Sequence, residues 1–106
     1  MINGISSYNN SPTFKGMSIK SVQNFIPDIS PEMAEKVSTR LNDIIPHDHL
    51  EMVLKGSKTL THSVDLDNGM RITIGEVKYK GNPEPLEKVE FLYDVADMIK
   101  KGTVYA

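Results

Sequence analysis

The 106-residue chain has room for one domain, since single hydrophobic cores organise roughly 100 to 200 residues. Its 12 basic and 14 acidic residues leave a net charge of −2, which excludes a strong field for steering nucleic acid or an anionic membrane and confines charge-driven binding to local clusters. The absence of cysteine removes disulfides, thiolate nucleophiles and cysteine zinc sites, and no apolar run approaches the ~20 residues of a membrane span. The first ten residues lack the basic start and apolar centre of a secretory signal, so a cytoplasmic protein without a membrane partner is expected.

Residues 1–16 are rich in Ser and Asn and show no apolar period. They are expected to form a flexible tail, followed by a single domain over 17–106 with its core over 30–101. Ile19, Val22, Phe25 and Ile26 fall at helical spacing before Pro27, which predicts a short extra helix ahead of the main elements. Ser30-Pro31-Glu32 is a helix start: a hydroxyl at the N-cap, a proline where its missing N–H costs nothing, and an acid at the positive end of the dipole. Met33, Ala34, Val37, Leu41, Ile44 and Ile45 then share roughly 120° of arc, giving a surface helix with one buried stripe that stops at Pro46.

Alternation follows. Leu50, Met52 and Leu54 alternate with Glu51, Val53 and Lys55, then Leu60, His62, Val64 and Leu66 with Thr59, Thr61, Ser63 and Asp65, and finally Met70, Ile72 and Ile74 with Arg71 and Thr73. These patterns predict an antiparallel meander with one apolar and one wet face. A two-residue Asn68-Gly69 turn would set Leu66 beside Arg71 and mix the faces. A three-residue loop, Asp67-Asn68-Gly69, with Gly69 left-handed, places Leu66 opposite Met70, Val64 opposite Ile72, and Asp65 opposite Arg71. Beyond Ile74 the phase breaks, and a bulge at Gly75 would return Val77 and Tyr79 to the inside.

Asn82-Pro83-Glu84-Pro85 opens a last helix that ends at Lys100-Lys101-Gly102, with basic residues and a glycine cap on the negative dipole end. Glu87, Glu90, Asp94, Asp97 and Lys101 share roughly 80° of its arc, and apolar residues take most of the rest. That is more apolar surface than one sheet face covers, so its flanks call for the other helices or a second subunit. The fold class is therefore α+β: helix, three-stranded meander and helix in two layers, with a short helix before them.

This element order is similar to that of double-stranded RNA-binding domains. Residues 82–87 are acidic and proline-capped where those domains carry a basic cluster, and the loop Gly56-Ser57-Lys58 lacks their histidine, so the likeness is one of topology and nucleic acid is not the expected partner.

Several clusters invite chemistry. The register places His49 near Asp65 and His47 near Asp67, so His47, His49, Asp65 and Asp67 are metal candidates with no recognised spacing motif. His62 falls on the inner face as a core or edge histidine. His62 and Ser63 point to opposite faces, so neither can activate the other. The acidic stripe lies away from any pocket that would raise a carboxyl pKa. Lys55, Lys58, Lys78 and Lys80 gather at one end of the sheet as an anion candidate.

No glycine-rich phosphate loop is present and no cofactor is expected. The leading expectation is a small non-enzymatic protein-interaction module, with self-association through Phe91, Val95, Met98 and Ile99 as one form. Nucleic-acid or anion binding at the lysines, and metal binding at the His47/His49 end, are the alternatives.

Overall fold

A computed structural model of the chain describes residues 15–52 and 54–103, so positions 1–14 of the expected tail lie outside the described residues. The expected short helix is present as α1 (Ile19–Phe25), opened by Ser18, whose hydroxyl accepts the Ser21 N–H, and ended before Pro27. In α2 (Pro31–Ile44), Ser30 Oγ accepts the Met33 N–H at 3.2 Å and proline occupies the first turn. The strands β1 (Asp48–Glu51), β2 (Thr59–Asp65) and β3 (Arg71–Lys78) form an antiparallel meander in the order β1-β2-β3. The closing helix α3 (Pro85–Lys101) is capped by Gly102 in the left-handed region, and the Thr103 N–H returns to Met98 O at 2.9 Å.

The helices cover one face of the sheet. Val22, Phe25 and Ile26 from the α1 region, Ala34, Val37 and Leu41 of α2, and Val89, Leu92, Val95 and Ala96 of α3 share a single core with Leu50, Met52, Leu60 and Tyr79. This core also includes Met17 and so reaches further towards the N-terminus than residue 30. Gly16, at the end of the expected tail, is tied down. Its N–H donates to Asp48 O at 2.7 Å and its carbonyl accepts from Leu50 N at 2.6 Å, a parallel bridge on the outer edge of β1. Gly16 has φ +77, and a Cβ there would lie 2.6 Å from the backbone N of Asn42. A glycine is therefore required twice over.

β1 is shorter than the alternation through Leu54 predicts. The backbone groups of Met52 are taken by side chains of α1: Met52 N donates to Ser21 Oγ at 3.2 Å and Met52 O accepts from Asn24 Nδ2 at 2.8 Å. With those partners the chain leaves the ladder after Glu51, and Leu54, expected on the inner face, is 71% exposed. The β1–β2 pairing sets His49 opposite Ser63 and Leu50 opposite His62, two residues from the register implied by a tight Gly56-Ser57-Lys58 loop but with the same faces.

Candidate functional site

The hairpin between β2 and β3 has the predicted three-residue loop. Leu66 N donates to Met70 O at 2.7 Å, Gly69 has φ +86, and Val64 pairs with Ile72, Ser63 with Thr73 and Asp65 with Arg71. The register shift falls between Ser63, opposite Thr73, and His62, opposite Gly75, so Ile74 is the extra residue, immediately before the glycine. Val77 and Tyr79 thereby return to the inner face, Val77 packed against the core and Tyr79 buried in it. The Tyr79 ring meets Phe25 edge-on at 5.6 Å and Phe91 at 5.0 Å. Lys88 Nζ sits 5.3 Å from the Phe25 ring centroid and donates to Phe25 O at 3.0 Å, satisfying a carbonyl at the C-terminal end of α1. Burial, with Glu87 nearby, raises the Tyr79 phenol pKa, and its hydroxyl donates to Asn82 O.

These contacts place α1 and α3 over the half of the sheet holding Leu60, Val77 and Tyr79. The other half projects beyond them. Leu66 (40% exposed), Met70 (59%), Ile72 (39%) and Ile74 (46%) are open to solvent, although strand alternation puts Leu66, Met70 and Ile72 on the same face as the core. Among the described residues nothing pairs with the outer edge of β3. The result is an open strand edge beside an apolar surface.

Of the interaction residues predicted on α3, Val95 is fully buried, Phe91 and Ile99 pack against the core, and Met98 is exposed. Most of the excess apolar arc of α3 is thus used within the chain, against α1, α2 and the sheet. The hairpin surface escaped sequence reading because alternation tells which face a residue takes, not how far the helical layer extends.

The β1–β2 ladder carries two histidine–aspartate pairs on opposite faces. His49 Nε2 lies 2.9 Å from Asp65 Oδ2 on the outer face, where Asp65 Oδ1 also accepts from Arg71 Nε at 2.9 Å. His62 Nε2 lies 2.7 Å from Asp48 Oδ2 on the inner face. Both imidazoles are buried and both carboxylates reach solvent. Arg71 first, and then His49, hold the Asp65 carboxyl below its ordinary pKa.

His49 and Asp65 thus meet as predicted, while His47 and Asp67 are exposed, and no group of three metal-ligating side chains occurs among the described residues. Ser63 stands opposite His49 and completes a serine, histidine and aspartate set on one face. Its Oγ is buried without a hydrogen-bond partner among the described residues, and with Ser63 3% and His49 5% exposed a substrate has no approach to the hydroxyl.

Lys58 lies opposite Tyr79, which sets it between Lys78 and Lys80, and all three are exposed. Lys55 instead borders a recess of about 370 Å³ with Lys20, Gln23, Asn24, Pro27 and Ile29. The acidic stripe Glu87, Glu90, Asp94 and Asp97 faces solvent, with Asp97 paired to Lys101 at 2.9 Å. No described helix is long and apolar enough to cross a membrane. No protein-family model, curated protein or solved structure matches the chain.

Proposed function

We propose that the chain is a small non-enzymatic protein-interaction module whose docking surface is the β2–β3 hairpin. The observation that carries this reading is the coincidence of an open β3 edge with exposed Leu66, Met70, Ile72 and Ile74. An added strand satisfies the backbone groups of such an edge, and apolar side chains beside it supply the desolvation energy. The α3 face that the sequence favoured has less to offer, because Val95 and its neighbours are already spent on the core. Chemistry at Ser63 and His49 lacks access, and Lys58, Lys78 and Lys80 at the sheet end are solvent-exposed.

Site-specific photo-cross-linking in cells tests the reading. A benzoylphenylalanine at Met70 or Ile74 is expected to give discrete protein adducts, and the same group at Met98 on α3 is not. Adducts from Met98 with none from the hairpin would return the docking surface to α3.

A further inference from the structure

We infer that the occupant of the open β3 edge is the β3 strand of a second copy, paired antiparallel about a two-fold axis between Ile74 and Gly75. The inference rests on the reading of the hairpin as the docking surface. Within the chain, Leu66 N donates to Met70 O at 2.7 Å and Tyr79 N to Lys58 O at 2.8 Å. Backbone groups in an antiparallel ladder alternate sides, so Met70, Ile72, Gly75, Val77 and Tyr79 turn theirs towards β2. Those of Arg71, Thr73, Glu76 and Lys78 are left aimed at the open edge.

A two-fold axis between residues 74 and 75 matches these groups with themselves. Thr73 falls opposite Glu76 of the second copy and Arg71 opposite its Lys78, each pair with outward-directed N–H and C=O groups. Ile72 falls opposite Val77 and Ile74 opposite Gly75. The pairs flanking the axis keep their faces matched, Ile72 with Val77 on the apolar face and Thr73 with Glu76 and Arg71 with Lys78 on the polar one.

The bulge does not spoil the match, because each strand brings the same extra residue and the counts agree on both sides of the axis. Moving either strand by one residue sets apolar-face residues against polar-face ones: Ile72 against Glu76 or Lys78, and Arg71 against Val77 or Tyr79. The unfavourable pair, Arg71 against Lys78, is relieved by Asp65, already bonded to Arg71, and by the second copy's Glu76 on the diagonal.

The same arrangement covers the exposed apolar surface. Continuing the register, Met70 lies opposite Tyr79 of the second copy and Ile72 opposite its Val77, at the part of the sheet that α3 of that copy overlies. The hairpin that projects beyond its own helices comes to rest beside those of its neighbour, in one six-stranded sheet without an open β3 edge.

The chain has no cysteine, so single cysteines report the register directly. Thr73 and Glu76 are exposed, and Thr73→Cys and Glu76→Cys are made separately and checked for unchanged circular dichroism. A hydrogen-bonded antiparallel pair holds its Cα atoms about 5.5 Å apart, within disulfide range, whereas positions three residues out of register are ~10 Å apart. Equilibration of the mixed variants in a glutathione redox buffer is expected to give a disulfide-linked dimer that neither variant forms alone.

Equal cross-linking in one variant alone would overturn the register. A mixture that does not cross-link although light scattering shows two copies would overturn the edge pairing. A single-copy mass throughout would overturn self-association, while hairpin photo-adducts to a different protein would leave the docking surface standing.

Discussion

Gly16 illustrates how a single position decides whether the edge of β1 is covered. Its φ of +77 and the 2.6 Å approach of its missing Cβ to Asn42 N leave no room for a side chain. Gly16→Ala is expected to destabilise the fold by about 2 kcal/mol or more in urea unfolding, and an unchanged midpoint would contradict the packing described.

Ser63 behaves oppositely. Its buried Oγ lacks a partner among the described residues, so Ser63→Ala is expected to leave stability unchanged or raise it by up to ~1 kcal/mol. A large loss would mean that the hydroxyl has a structural bond.

Asp65 supplies the pH dependence. Arg71 and His49 lower its folded pKa below the ordinary aspartate value of about 3.8, so the stabilisation is complete above that value and is lost as pH falls through the lower, folded pKa. The stability difference between the parent and Asp65→Asn is expected to shrink on acidification below pH ~4, which unfolding curves across that range will show. The meeting of His49 and Asp65 was legible because strand parity fixed their shared face. The burial of Ser63 was not, because alternation assigned it to the wet side.

At the scale of elements, the helix starts and the hairpin were written locally. Ser30-Pro31 opens α2, Gly102 closes α3, and the polarity of residues 63–73 selects a three-residue loop. Gly69→Val is expected to cost about 1 kcal/mol or more through its positive φ, measurable as a lower unfolding midpoint. Unchanged stability would contradict the register.

The end of β1 was not legible, because it depends on Ser21 and Asn24 reaching Met52 from another element. Asn24→Ala leaves the carbonyl of the buried Met52 without that donor and is expected to cost about 1–3 kcal/mol in the same measurement. The apolar arc of α3 is wide, with Val89, Leu92, Val95 and Ala96 in the core and Phe91, Tyr93 and Ile99 packed against it. How that arc is covered depends on α1 and α2 packing around it, which periodicity within α3 cannot express.

For the whole molecule, the helical layer is shorter than the sheet it covers. The core takes the half of the sheet near Leu60 and Tyr79, and the hairpin carrying Leu66, Met70 and Ile72 extends past it with an edge that is open among the described residues. Apolar surface left on a strand edge is an aggregation hazard unless something specific covers it, and β3 is self-complementary in both side-chain face and backbone direction.

Thr73→Pro isolates this property. The Thr73 N–H points to the open edge, so proline there removes no β2–β3 bond yet blocks an incoming strand. Sedimentation velocity of the parent and Thr73→Pro from micromolar to near-millimolar concentration is the most direct test. The parent is expected to shift from one copy to two while the variant stays at one. A parent that remains a single copy throughout, or a variant that pairs as well as the parent, would contradict the edge pairing.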